Sequence, residues 1–395
     1  MSFIFCLFSP LISQVWGDTH CPAHTTIRLW PLRYGLDRLN SPKNLSGDVS
    51  LLSDHTVKAG STKCLIAVAV SLDNLRKRND YTLKFSDLTP LIIYPQLRST
   101  ALLTKELLEK AANNAGVKYF ASTTNDAAAD LKKGAKLYSE VYEKTKNTID
   151  ITHKKGTIIK SSLENDGFFN EFSRLYNQTK QLLKQSEWAA LAPSHQRKKG
   201  RYLNIDIMIK WAKFILNLID KGDEFPIPHG ILEKIRWVCK FRTWIEDVEQ
   251  RIVVCEIAES QLIAEGLHCK SAVEYKKKIS ERNFAREHRE ISKKVEVFLR
   301  EQGKGIPKAK PVLGCTNILE SLIGKVKSLD SGPSKRDFGS RVLLHAVVVS
   351  EPTPESVKEA LERTTTDDLL DWAGDFFKKS IDYVRRKISG NKCQV

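Results

Sequence analysis

Apolar and polar positions change their period twice along this chain of 395 residues. Val49-Ser-Leu-Leu-Ser-Asp-His-Thr-Val57 and Lys63-Cys-Leu-Ile-Ala-Val-Ala-Val-Ser71 are short β-rich runs. Gly60 and Ser61 between them supply turn chemistry, so the pair predicts a hairpin. Tyr81–Phe85 and Leu88–Tyr94 are weaker strand candidates. The period becomes helical over Thr100–Ala115, with Leu102, Leu103, Leu107, Leu108 and Ala112 on one side and Gly116 as a stop. A short strand is expected at Lys118–Ser122, running out towards Asn125-Asp126. A helix over Ala127–Glu143 and another strand over Asn147–His153 follow. Hairpins followed by βαβ units predict an α/β fold, a mixed sheet flanked by helices.

The second change comes near residue 157. From there to 305 the pattern is almost wholly helical, with long helices at Ile205–Ile219 and Pro228–Arg251. The stretch Lys276–Arg300, rich in both charge signs, reads as a solvated helix or helix pair. Gly303-Lys-Gly-Ile-Pro-Lys-Ala-Lys-Pro311 is a linker. Helical spacing returns at Ile318, Leu319, Leu322, Ile323 and Val326. Residues 329–340 read as a loop, and helices run from there to the basic Arg385-Arg-Lys387. At the other end, Thr25 and Thr26 are placed to cap a short helix that Pro31 breaks or kinks. Residues 1–46 are then either the remnant of a helix-turn-helix or a packed arm.

Charge narrows the class. The formal net charge is +16, which favours a polyanionic partner, most often nucleic acid. No two of the eight cysteines have C-x-x-C spacing, so a zinc ribbon is not expected and reduced thiols are. The apolar run Phe3–Ile12 is too short to span a membrane and has no basic stretch before it. A cytoplasmic, nucleoid-associated protein without membrane attachment is the expectation.

Four acidic positions then matter. Glu320 interrupts the apolar pattern of its helix and is followed by Lys325 and Lys327. Asp54 lies inside the first β-rich run, where a charge is expensive unless paired or bound to metal. Asp126 sits where a strand gives way to a helix, the end of a strand at which α/β ligand sites form. Its competing role is helix N-cap. Asp130, one turn on, is either a partner behind the site or a first-turn dipole residue. Asp150 and His153 fall on opposite faces of the expected fifth strand, with a supporting or DNA-facing role. The Arg197-Lys198-Lys199-Gly-Arg201 run suits phosphate contacts or a solvated loop. The tryptophans read as core.

An Asp on the first strand, an Asp after the strand that follows the first helix, and a Glu on a much later helix occur in a set order here. The chain thereby resembles bacterial insertion-sequence transposases with an Asp-Asp-Glu triad in an RNase H-like domain. The segments that carry the resemblance are Ser53-Asp-His-Thr-Val-x-x-Gly60 with Lys63-Cys-Leu65, then Asp126-x-x-x-Asp-Leu-Lys-Lys-Gly134. They continue with Asp150-Ile-Thr-His-Lys154, Leu191-Ala-Pro-x-x-Gln-Arg-x-Lys199 with Arg201-Tyr-Leu-Asn204, and Ile318-Leu-Glu-Ser-Leu-Ile-Gly-Lys-Val-Lys327. The resemblance implies an RNase H-like core in two parts, 47–156 and 306–395, interrupted by a helical insertion domain at 157–305. It implies Asp54, Asp126 and Glu320 as catalytic metal ligands, and two Mg²⁺ or Mn²⁺ ions about 3.5–4 Å apart. Lys327, seven residues after Glu320, matches the Glu-x6-Lys part of a signature in which the lysine contacts DNA. The tyrosine and arginine of that signature would fall at Leu313 and Thr316. Transposon inverted-repeat ends and target DNA are the implied partners, bound by a homodimer or larger assembly. A stand-alone RNase H-like nuclease and a non-enzymatic, DNA-binding relic are the rivals.

Overall fold

The computed structural model describes residues 24–59, 62–195, 205–222, 227–329 and 340–376. The chain divides into two compact units, Met1–Thr148 with Thr316–Val395, and Ile149–Cys315.

The first unit is built on a five-stranded mixed sheet. Its strands are β1 (Val49–Ala59), β2 (Thr62–Ser71), β3 (Thr89–Gln96), β4 (Ser122–Asn125) and β5 (Lys146–Ile149), in the order β3-β2-β1-β4-β5. The expected hairpin forms: β1 and β2 pair antiparallel from Val49↔Ser71 to Ala59↔Thr62. β3 joins β2 antiparallel, and β4 joins β1 parallel from Ser50↔Ser122 to Ser53↔Asn125. Lys146 N–H bonds Ala121 O at 3.0 Å, and side-chain bonds join Thr123 to Asn147 and Thr124 to Thr148. These pairings rise together along both strands, so β5 runs parallel to β4.

Alternation along β1 sets the two faces. Val49 and Leu51, with Leu65, Ala67 and Ala69 of β2, pack against Leu107, Leu108, Ala111, Leu131 and Ala135. Those belong to α1 (Ala101–Ala115) and α2 (Ala129–Val141). Thr100 caps α1 through Leu103 N–H, and Gly116 ends it in the left-handed conformation the expected stop requires. The two helices meet at Gly134, where a Cβ would lie 2.4 Å from Thr104 Cβ. Leu52, Val68 and Val70, on the other face, are equally buried. β1 there packs against α3 (Asn317–Leu329), and β3 against α4 (His24–Asn40) and α5 (Leu344–Val348).

Several expectations shift. No strand forms at 81–85; a single 3-10 turn occupies Phe85–Asp87. The strand expected at Lys118–Ser122 is β4, four residues later. Pro31 does not break its helix: α4 runs straight through it. An interior proline costs about 3 kcal/mol, which the burial of Trp30, Leu32, Tyr34, Leu36 and Leu39 offsets. Rather than standing as a separate arm, α4 packs against α5, α6 (Pro354–Arg363) and α7 (Thr366–Phe376) in the sheet's own unit.

The second unit is helical, as the pattern predicts. It comprises α8 (Ile151–Leu163), α9 (Gly167–Leu183), α10 (Ile205–Lys221), α11 (His229–Ile235), α12 (Arg242–Glu265), α13 (Ser271–Ser280) and α14 (Arg286–Gly303). The long helix expected at Pro228–Arg251 is divided by a 3-10 segment, Arg236–Phe241. Aromatic packing explains the interruption. Phe172 packs edge-to-face on Trp237 and Phe241 and tilted on Trp244, and Tyr176 edge-to-face on Trp211, with centroids 5.0–5.4 Å apart. Each indole N–H of the three tryptophans is bonded: Trp211 to Leu191 O, Trp237 to Thr179 Oγ1, Trp244 to Asp166 Oδ2. They are core residues with a satisfied polar edge. Among the described residues no helix is long and apolar enough to cross a membrane.

Candidate metal centre

Two of the expected ligands are set side by side by the sheet. The last registered pair between β1 and β4 is Ser53↔Asn125. Asp54, midway along β1, and Asp126, the residue after β4 ends, come next. Asp54 shares its face with Ser50 and Leu52, the face towards α3, while His55 points to the α1/α2 side. His55 N–H bonds Asp54 Oδ1 at 2.6 Å, and Ala128 N–H bonds Asp126 Oδ1 at 3.2 Å. The second bond is an Asx-type turn that bends the chain into α2, whose N-cap is Ala128. The competing role of Asp126 as that helix's cap is therefore not the one it takes.

Two half-buried carboxylates next to each other on neighbouring backbones repel. Their donor atoms are hard oxygens, so the pair fits Mg²⁺ or Mn²⁺ in chemistry and would be stabilised by either. Glu320 lies on the exposed first turn of α3, whose Leu319, Leu322, Ile323 and Val326 are buried. Asp54, Asp126 and Glu320 do not form a group whose donor atoms all lie within 4.8 Å of one another. The sheet thus brings the two aspartates together; the helix brings Glu320 to the same face without closing the set.

Asp130 stands behind this pair on the first turn of α2. Its Oδ2 is 3.9 Å from His55 Nδ1. Burial raises the Asp130 carboxyl, but hydrogen bonding from Ser99, electrostatic attraction to His55 and the backbone N–H groups of Asp130 and Leu131 hold it below the usual range. Burial pushes His55 down, against the pull of Asp130. His55 Nε2 faces the Gln96 amide nitrogen at 3.0 Å and Ser99 Oγ at 3.4 Å. His55 carried no role in the sequence reading. The available signal was its position: with Leu51 and Ser53 it sits on the core side of β1, where a polar residue needs partners.

Asp150 and His153 are not on a strand. β5 ends at Ile149, and Asp150 is the fully buried N-cap of α8, accepting from Thr152 N–H at 3.1 Å. Aspartate at a strand-to-helix junction satisfies the helix's first amides, which is why the strand stops short. His153 lies in that helix's first turn, Nε2 4.0 Å from Asp150 Oδ2. Lys325 and Lys327 are exposed on α3, and the Lys325 ammonium sits 5.4 Å from the Phe85 ring centre. Arg197, Lys198, Lys199 and Arg201 lie outside the described residues.

An acidic–histidine group, Glu265, His268 and Glu274, has donor atoms within 4.8 Å of one another in the helical unit. Its hydrogen bonding speaks against an ion. His268 Nδ1 accepts from Lys270 N–H at 3.2 Å, so Nε2 carries the proton towards Glu274 Oε2 at 3.3 Å. Lys278 and Lys308 pair with Glu265 and Glu274. Both glutamates thus already face lysine ammonium groups, while Glu274 Oε2 is buried without a hydrogen bond.

No protein-family model matches the chain, and no curated protein matches it significantly.

Proposed function

We propose that this chain is a DDE transposase, an RNase H-like enzyme performing metal-dependent cleavage and strand transfer on DNA. The observation that carries the reading is the placement of Asp54, midway along β1, beside Asp126, the residue that follows the carboxyl end of β4. They lie in a sheet ordered 3-2-1-4-5 with only its second strand reversed against β1 and β3. The Glu320-bearing helix on the Asp54 face of β1 and the net charge of +16 support it. In this reading Asp54 and Asp126 hold divalent ions, Glu320 is the third ligand, and Lys325 and Lys327 bind DNA phosphates. Mg²⁺ or Mn²⁺ bound there supplies activation of an attacking oxygen and charge stabilisation at the leaving 3′-oxygen. The protein's own contribution is to fix the carboxylates and track the phosphate backbone. The all-helical unit inserted between β5 and α3 contributes to the grip on DNA ends, in a dimeric or larger assembly.

Nicking of supercoiled plasmid in Mg²⁺ or Mn²⁺ tests the proposal. The wild type should nick, while Asp54→Asn and Asp126→Asn should reduce the rate at least about a hundredfold and leave DNA binding intact. Nicking that survives in the folded Asp54→Asn protein sinks the assignment. Binding without any nicking by the wild type identifies the DNA-binding relic instead. Preferential cutting of RNA–DNA hybrid identifies the stand-alone nuclease.

A further inference from the structure

Polar groups with no place in the ligand set converge directly behind it. They are His55 on β1, Gln96 at the end of β3, Ser99 in the loop to α1, and Asp130 on α2. All four elements meet on the side of the sheet where β3 and β4 end, because β3 runs the same way as β1. The His55 side chain is only 10% exposed and Asp130 16%. Burying such groups is costly unless they are bonded. Gln96 donates an amide N–H to His55 Nε2, which leaves the ring proton on Nδ1, facing Asp130 Oδ2. That Oδ2 atom is itself buried without a hydrogen bond. A folded protein seldom retains an unbonded buried carboxylate oxygen, and such an atom calls for a reason.

The connections suggest one. His55 is covalently next to Asp54, and its peptide N–H holds Asp54 Oδ1. Asp130 is one helical turn beyond Asp126 and belongs to the turn that Asp126 Oδ1 nucleates through Ala128. β4 ends at Asn125, so past Ser53 no registered β-pair joins β1 to β4. β1 stays in the sheet through its pairing with β2, so it is the Asp126 backbone that leaves the ladder just where the two carboxylates must be held together against mutual repulsion.

We infer that His55 is a positioning residue: through Asp130, and braced by Gln96 and Ser99, it ties the middle of β1 to the start of α2 and so fixes the spacing of Asp54 and Asp126 for a divalent cation. The inference rests on the proposed metal site. His55 touches neither metal nor DNA; it acts through the two backbones. The probe is Mn²⁺ alone, with its affinity followed by electron paramagnetic resonance of the free ion, on proteins shown to be folded by near-ultraviolet circular dichroism. His55→Ala and Asp130→Ala should each weaken Mn²⁺ binding about tenfold or more, as outer groups around metal sites do. The double variant should be no weaker than the worse single one, because both remove the same tie. Gln96→Leu, which leaves both aspartates and their neighbours in place, should weaken binding about threefold and serves if His55→Ala does not fold. Asp54→Asn should abolish the site. Wild-type binding that is lost in Asp54→Asn but unchanged in folded His55→Ala or Gln96→Leu overturns this inference and leaves the metal site standing. Mn²⁺ binding that persists in Asp54→Asn overturns the metal-site reading itself.

Discussion

His345 shows what a single side chain can impose on this protein. It is buried in α5, with Nδ1 donating to Val342 O at 2.7 Å, and burial drives its pKa down to about 4. The Lys327 charge pushes the same way. Folded His345 is therefore neutral at pH values where the unfolded chain already binds a proton. Stability is whole above about pH 6.5, falls as the pH drops towards about 4, and levels off below it. Between pH 7 and pH 5 the loss from this group should be about 2 kcal/mol. Urea melts of wild type and His345→Asn at both values check this; a variant with the same pH slope as wild type removes His345 as the source. At the same scale the neighbourhood of Asp54 and Asp126 could be expected from the sequence, because a charge in a β-run and a charge after a strand are anomalies of type. Asp130 stood out only as one of two alternatives, and His55 not at all, because its partners lie on other elements. For Asp150 the sequence misled: a fully buried helix cap and a strand-borne charge share the same local letters.

Elements are tied by a few short-range fits. Arg33 of α4 donates to Thr364 O at 2.7 Å and Leu361 O at 2.5 Å, closing the carbonyl end of α6. Arg363 and Arg38 both bond the buried Asp37 carboxylate. Arg33→Ala should cost about 2 kcal/mol in a denaturant melt, since two charge-assisted bonds go. Arg33→Lys should recover less than half, lacking the forked geometry. At the α1/α2 crossing, Gly134→Ala drives a methyl group into Thr104 and should destabilise by about 1–3 kcal/mol. Combining it with Thr104→Ser should restore part of the loss. Helix α1, with its threonine cap and glycine stop, could be read from the chain almost to the residue. Helix α4 could not, because proline's local cost is offset by burial that only tertiary packing supplies. β4 slid four residues because its Ser-Thr-Thr-Asn is polar in type yet wholly buried, held by cross-strand hydroxyl bonds to β5.

At the scale of the molecule, a net charge of +16 should make duplex DNA binding steeply salt-dependent. Between 50 and 200 mM salt, affinity should fall by about a thousandfold if six or so phosphates are neutralised. Fluorescence anisotropy with a labelled duplex measures the slope, and a flat response removes DNA as the partner. The order of elements along the chain was the most legible property of all: a sheet-forming stretch, a helical stretch, and a return to the first unit. What the order could not supply was the pairing, since strand order depends on which edges meet after the chain has turned back.

The tryptophan core of the helical unit has an optical consequence. Trp188, Trp211, Trp237 and Trp244 all belong to residues 149–315, while the described part of the sheet unit holds Trp30 and Trp372. Several of the four sit with their rings within about 6 Å of neighbouring aromatics. Their emission is weighted towards one half of the protein, and close ring pairs add exciton-type features to its circular dichroism. An emission-detected melt therefore reports chiefly on the insertion, whereas amide exchange in Val49, Leu51 and Ala67 reports on the sheet. Running both on one sample separates the two units without cutting the chain.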